Sequence, residues 1–279
     1  MVKIQHLITM KVFIVFVHPE PQSLNGALLQ VAVDELKALG HEVQVSDLYA
    51  MQWKCQIDRA DFPQLAADSR LRVGHASREA TMTNTLTDDV KREQEKLLWA
   101  DTVIFQFPIW WYSMPSMLKG WFERVYSLGF GYGLGHYSGK RWGERYGKGK
   151  MVGKRAMLAI TVGAWEDHYS RRGICGPMDA LLFPVNHGLL YYTGFDVLPP
   201  FVFFNSDRAD EASFKIGADE LRERLRNLSI TKPIAYRPQN GGDYEMPTLT
   251  LKPGIESDST ADYFSLHIRK TEDVNPSPE

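Results

Sequence analysis

Residues 101–124, DTVIFQFPIWWYSMPSMLKGWFER, decide the fold. Thr102 to Phe107 is a short apolar run rich in β-branched and aromatic residues, the composition of an interior strand in a parallel sheet. Pro108 lacks the amide hydrogen that a ladder needs, so the chain is expected to leave the sheet there. A helix restarts after Pro115, which leaves Ile109, Trp110, Trp111 and Tyr112 on a loop at the strand's carboxyl end. In open α/β sheets that end is where ligands bind. Adjacent aromatics there suit a flat, conjugated ligand, and they equally suit packing in a core or a subunit interface. Spacing alone leaves both readings open.

The same alternation continues on either side. Lys11 to Val17 (KVFIVFV) reads as a first buried strand, followed by a turn-rich segment, His18 to Gly26 (HPEPQSLNG). A helix to about Leu39 then carries Leu28, Leu29, Ala32, Leu36 and Leu39 at amphipathic spacing, and Gly40 stops it. His41 to Leu48 returns as a second strand, with His41 expected at the surface. This β-α-β order implies a right-handed parallel crossover. Asp58 to Thr87 reads as polar and irregular, and Asp88 to Trp99 as a charged amphipathic helix. Lys154 to Thr161 is a fourth strand, Phe195 to Phe204 contains a fifth, and a helix from Glu211 to about Leu228 closes the unit. The expected fold is α/β, a doubly wound five-stranded parallel sheet in three layers.

That domain spans residues 10–230. Residues 1–9 read as an N-terminal extension, with Met10 as the functional start. From Thr231 onward, Pro233, Pro238, Pro247 and Pro253 together with Asn240, Gly241 and Gly242 describe an extended C-terminal tail, 231–279. Its Tyr244, Tyr263 and Phe264 could dock it on the domain or on a partner subunit. Between Gly129 and Gly149 stand eight glycines, which predicts a mobile loop.

Composition narrows the function classes. The chain of 279 residues is 44% hydrophobic and 24% charged, enough for a sizeable core. A formal net charge of −2 with no basic stripe argues against nucleic acid. Cys55 and Cys175 form no CxxC pair, which suits a reducing cytoplasm, and no apolar run is long enough to span a membrane. No GxGxxG, HExxH or GxSxG pattern occurs, so a Rossmann dinucleotide site, a metal site and a hydrolase elbow lack support. Three loops follow three strands instead: His18–Gly26, Pro108–Tyr112 and Val162–Tyr169. In the first, Ser23, Leu24 and Asn25 open a helix whose amides and dipole can hold a pyrophosphate, although Ser23 or Asn25 can equally be a plain helix cap. A lone cysteine such as Cys175 on a glycine-bounded loop is more often inert than nucleophilic.

These residues resemble the NAD(P)H:quinone oxidoreductases, the DT-diaphorase family, within the flavodoxin-like superfamily. The matches are SDLYAM at 46–51, FQFPIWW at 105–111 and LKGWFERV at 118–125. HPEPQSLN at 18–25 fits that family's phosphate loop, and GFGYG at 129–133 its active-site flap. The resemblance runs in consistent order from about Lys11 to Leu228. It implies FAD rather than FMN, bound across a homodimer interface, and ping-pong two-electron reduction of quinones by NADH or NADPH. Carried over, His18, Ser23, Leu24 and Asn25 hold the FAD phosphates and ribityl chain. Pro108, Ile109, Trp110, Trp111 and Tyr112 line the isoalloxazine, and Thr161, Val162 and Gly163 close its other side. Trp111, Tyr112 and Tyr132 face the substrate, with Tyr132 as the flap tyrosine.

Tyr169 matches the catalytic tyrosine that stabilises charge on the flavin, while its usual histidine partner falls at Cys175 in GICGPM. His168 or the distant His187 then stands as a substitute donor. Two other readings remain: a reductase of azo or nitro compounds or of free flavin, and a flavin-binding regulatory subunit of a membrane transport system.

Overall fold

The computed structural model describes residues 9–139, 141–255 and 264–269. Residues 1–8 and Tyr263 lie outside this set. Among the described residues eight strands and six α-helices follow in chain order. They are β1 Lys11–Phe16, α1 Leu24–Ala38, β2 Glu42–Asp47, α2 Val73–Thr83, α3 Asp88–Trp99, β3 Thr102–Pro108 and α4 Ser116–Val125. Then come β4 Tyr137–Ser138, β5 Arg141–Trp142, β6 Arg155–Thr161, α5 Met178–Val185, β7 Asp196–Val197, β8 Phe201–Phe203 and α6 Glu211–Arg226.

The central sheet runs β2-β1-β3-β6-β7, with β8 also pairing β6, and every pairing in it is parallel. The expected five positions hold six strands, because the last position is broken. Asp196 and Val197 pair with Arg155 and Ala156, and pairing resumes only at Phe201 opposite Ala159. Pro199 and Pro200 fall in the gap, where neither can donate to the ladder. With both sheet faces covered, alternate residues feed two cores. Phe13, Val15 and Phe105 face α3, α4 and α5, while Val12, Ile14 and Ile104 face Leu28, Leu36, Leu221 and Leu225 of α1 and α6.

The aromatic half of β3–α4 anchors the first core. Phe105 packs against Phe122 at 5.1 Å and Trp121 at 5.9 Å between ring centroids. Trp121 is fully buried, and its Nε1 donates to Glu93 Oε2 at 2.9 Å. Each such ring contributes about 1.5–3 kcal/mol by leaving water.

Three expectations are corrected. Pro108 stays in register opposite Thr161, and the chain departs only after Ile109, whose amide donates to Thr161 O at 2.9 Å. Amides alternate in direction along a strand, so the hydrogen Pro108 lacks would face the side where β1 has already ended. Asp58–Thr87 is not irregular, since it holds a 3-10 turn and α2, which buries Ala76, Ser77 and Ala80. His41 is buried and accepts the Met10 amide on Nδ1, and burial lowers its pKa. The glycine-rich segment forms the β4–β5 hairpin and is tied to the core by Tyr146 N to Tyr192 O and Gly147 N to Tyr191 O, both 3.0 Å. The tail docks as an extended segment, through Ile234 N to Val197 O at 2.7 Å and a buried Tyr236.

Candidate active site

The site begins where β1, β3 and β6 end side by side. Val17 donates to Gln106 O at 3.0 Å, and the chain then turns through His18–Gln22 into α1. His18 Nδ1 accepts the Glu20 amide at 3.1 Å, which fixes the turn. Ser23 is the N-cap, its Oγ accepting from Gly26 N at 3.1 Å, and Ala27 N donates to Ser23 O. The cap therefore uses two first-turn donors and leaves the Leu24 and Asn25 amides open, at the positive end of a 15-residue helix. Position 26 must be glycine, because a Cβ there would lie 1.9 Å from Pro21 O.

The second loop is a two-residue turn. Trp110 and Ser113 exchange backbone hydrogen bonds at 2.9 and 3.0 Å, with Trp111 and Tyr112 at the tip. Both tip residues have positive φ, 49° and 59°, as a type I′ turn demands and as aromatic residues seldom adopt. Such a backbone costs about 1–3 kcal/mol per residue and persists where function or packing holds it. Packing does not hold it here: Trp111 is 96% exposed and Tyr112 is exposed. The His18 and Trp110 rings lie 6.0 Å apart, which joins the first loop to the second.

The third loop leaves β6 at Thr161. Thr161 and Val162 are buried: Thr161 Oγ1 accepts from Asn25 Nδ2 at 2.9 Å, and Val162 N donates to Phe203 O at 2.9 Å. Asn25, itself buried, also takes Gln106 Nε2 on its backbone oxygen at 2.8 Å. These side chains brace the loop ends, so a ligand meets backbone here. Nothing in the sequence of a strand glutamine such as Gln106 announces this brace. Gly163 lies under the Asp207 carboxylate: a Cβ there would come 2.4 Å from Oδ2, so a side chain would displace that exposed carboxylate.

Tyr169 ends a 3-10 turn and packs near Phe204, rings 6.0 Å apart. Burial first, then Cys175 and Tyr112, raise its pKa, so it is a neutral phenol and a hydrogen-bond donor at neutral pH. Tyr112 Oη sits 3.5 Å from Cys175 Sγ, an interaction that raises the Tyr112 pKa as well. The fold thus brings Tyr112, Tyr169 and Cys175 together, the last in the place of the expected imidazole. His168 is exposed, and its carbonyl accepts the Cys175 amide at 2.9 Å. His187 lies elsewhere, stacked between Tyr146 and Phe183. Tyr132 stands apart too, its hydroxyl near Gly74 of α2. Burial raises its pKa, and it makes no hydrogen bond or ring contact with the aromatic turn among the described residues.

Between the aromatic turn and α5 lies an apolar cleft of about 230 Å³, lined by Ile109, Tyr112 and Met114 against Leu181, Pro184 and Val185. No group of His, Cys, Asp and Glu suited to a metal occurs among the described residues. None of their helices is long and apolar enough to cross a membrane.

A family model described as flavodoxin-like fold matches residues 10–225. A Penicillium crustosum protein named ribosyldihydronicotinamide dehydrogenase-like protein traD is 58% identical over 260 residues, covering 93% of this chain and 96% of that one. The mouse ribosyldihydronicotinamide dehydrogenase [quinone] is 37% identical, covering 82% of this chain and 96% of its own. The guinea pig NAD(P)H dehydrogenase [quinone] 1 is 34% identical, covering 92% of each chain. Among solved structures, a candidate quinone reductase from Klebsiella pneumoniae superposes with a TM-score of 0.90 at 51% identity, covering 93% of this chain and all of that one.

Proposed function

The chain belongs to the flavodoxin-like fold family, among its quinone dehydrogenases, and we propose that it is a flavin-dependent quinone reductase using a reduced nicotinamide. One observation carries this reading. Two exposed aromatics sit on a strained turn beside a helix N-terminus with open amides and a neutral Tyr169 phenol. The residues fit a flavin: planar faces for the ring, amides for phosphate, and backbone at Gly26 too crowded for any side chain.

FAD is the form we favour. The Leu24 and Asn25 amides and His18 would hold its pyrophosphate, while Trp110, Trp111 and Tyr112 would flank the ring with Ile109 and Gly163 at its edges. Bound there, the flavin supplies the hydride acceptor and donor. Tyr169 offers a fixed donor where negative charge collects, the kind of preorganised dipole that lowers such a barrier. Cys175 holds the Tyr112 hydroxyl and shares the pocket of Tyr169, where relatives of the resembling family are expected to carry an imidazole. A single aromatic turn implies that donor and quinone use one slot in succession.

A second copy of the chain completes the site in this reading. The 230 Å³ cleft is smaller than the ~300–1,000 Å³ usual for ligand pockets. Trp111 and Ile174, 96% and 93% exposed, would lie against that copy. Tyr132 would then serve the ring held by the neighbouring subunit. The assembly would work in the cytoplasm.

The donor is NADH or NADPH, with dihydronicotinamide riboside as a second reading favoured by the names of the fungal and mouse relatives. The test is an anaerobic titration of the purified protein, followed by absorption. Flavin bands that bleach with donor and recover with benzoquinone within the turnover time support the proposal, and acid release identifies FAD or FMN. Protein that carries no flavin after reconstitution, or flavin that no nicotinamide reduces, sinks it. Bleaching rates with the three donors rank them.

A further inference from the structure

We propose that the cavity between the glycine-rich arm and the returning tail is a binding site for a planar aromatic anion, separate from the aromatic turn. The cavity measures about 330 Å³, room for a two-ring ligand. Its walls are stacked rings. Phe183 lies 4.6 Å from His187 at an interplanar angle of 10°, Tyr146 lies 4.8 Å from His187 at 26°, and Tyr244 lies 5.9 Å from His267 at 17°. Flat walls of this kind select flat ligands.

The charge of the lining selects an anion. Arg145 and Arg237 reach the cavity, and among the described residues no carboxylate lines it. Arg145 has no carboxylate partner among the described residues; its Nε donates to Gln239 Oε1 at 2.6 Å. The same guanidinium lies about the Trp142, Tyr146 and Tyr192 rings at 5.6, 6.0 and 5.8 Å. The neighbouring Glu144 is committed to Arg141. Arg237 and Arg269 share one carboxylate, Asp243, at 3.0 and 3.1 Å. Two guanidiniums thus share one carboxylate, Arg145 adds a further positive charge at the lining, and a bound anion would offset the excess.

A second polar group awaits a partner. His187 Nε2 is buried with no hydrogen-bond partner, although its ring lines the cavity. Burial, with His267 beside it, pushes the His187 pKa down to about 4, so the imidazole is neutral at neutral pH and can bond a ligand through Nε2 in either sense. An unmet buried polar group is destabilising, and a ligand hydrogen bond would offset that cost. The aromatic turn shares no lining residue with this cavity.

Isothermal titration of the flavin-loaded protein with 2-naphthoate and with neutral 2-naphthamide tests the assignment. We expect 2-naphthoate to bind below millimolar concentration, about tenfold or more tighter than the amide, as one charge-assisted bond allows. Arg145→Gln should remove that preference, and His187→Phe, which keeps the stack, should weaken both ligands. Trp111→Ala should leave 2-naphthoate affinity within about twofold. Equal binding of acid and amide, no binding at millimolar concentration, an Arg145→Gln protein that binds like its parent, or loss of binding in Trp111→Ala would each overturn the proposal. None of these readouts depends on quinone turnover.

Discussion

The aromatic turn and the tail cavity both border α5, which lends Leu181, Pro184 and Val185 to one and Phe183 to the other, yet they are built in opposite ways. The turn is a product of the sheet. Three adjacent strands end together, and the loops that follow must meet whatever the details of their side chains. Its aromatics are exposed, its donors are backbone amides and a phenol, and no cation stands among the residues flanking its cleft. The tail cavity is a product of chain return. Tyr146, Phe183 and His187 stack on one another, and the returning tail brings Arg237, Gln239, Tyr244, Leu249 and His267 over them. It is enclosed by rings and carries more guanidinium than carboxylate. The first arrangement suits a large ligand covered by a second surface, and the second a small anion held within one chain.

The sharpest way to break this comparison is Tyr169→Phe. If the phenol is the donor at the turn, its removal should slow hydride transfer about 10²-fold or more, within the range for a lost preorganised donor. Flavin affinity and 2-naphthoate binding should not change. Stopped-flow bleaching at saturating nicotinamide measures the first. A rate equal to the parent's would mean that the turn and the tyrosine are not one site.

The second test concerns the cavity's histidine. His187 folded has a pKa of about 4 against 6.5 for the free side chain. Its folded pKa is depressed, so the unfolded chain binds more protons between those values. The stability held above pH 6.5 is therefore lost as pH falls toward 4, by up to about 3 kcal/mol. His187→Phe should flatten that decline, visible in urea melts at pH 7 and pH 4.5. Parallel pH profiles for variant and parent would place the ring in water rather than in the stack. Gly26→Val probes the other region: its Cβ meets Pro21 O, and we expect about 1–3 kcal/mol of destabilisation with loss of flavin. Flavin retained at the parent's ratio of absorbances would show that the first loop does not hold it.

The contrast also explains what the sequence made legible. β1, β3 and β6 were visible because burial on both faces leaves continuous apolar runs, and the ligand-bearing ends follow from where those runs stop. α2 was not, because the face it buries is Ala76, Ser77 and Ala80, too small to stand out, and no side chain caps it. His41 was misplaced because its partner, the Met10 amide, lies 31 residues away. The break between β7 and β8 falls at Pro199 and Pro200, inside the segment 195–204 expected to contain one strand. The resemblance supplied Tyr169 and Cys175 as candidates. Their meeting with Tyr112, 63 residues before Cys175, needed coordinates. The tail cavity needed them too, since apart from Phe183 with His187 its stacks join residues far apart in the chain.

The smallest expected effect is the most diagnostic. Trp111 and Trp121 stand ten residues apart on the same strand–turn–helix unit, one 96% exposed and the other fully buried. Trp121→Ala would open a cavity and take the Nε1 donor from Glu93 Oε2, while Oε1 keeps Lys96 and Ser46, a loss of about 3–5 kcal/mol of folding stability. Trp111→Ala removes almost no buried area within the chain, so its melting curve should match the parent's. What it should lose is stacking, about 1 kcal/mol or roughly fivefold in flavin affinity or in the KM for quinone. A ring held at positive φ in water, with no packing to justify the strain, has to be compensated from outside the chain. If Trp111→Ala changes neither affinity nor KM but shifts a monomer–dimer equilibrium by the same fivefold, the compensating surface is the second subunit alone. If affinity falls and the equilibrium stays, it is the flavin or its substrate.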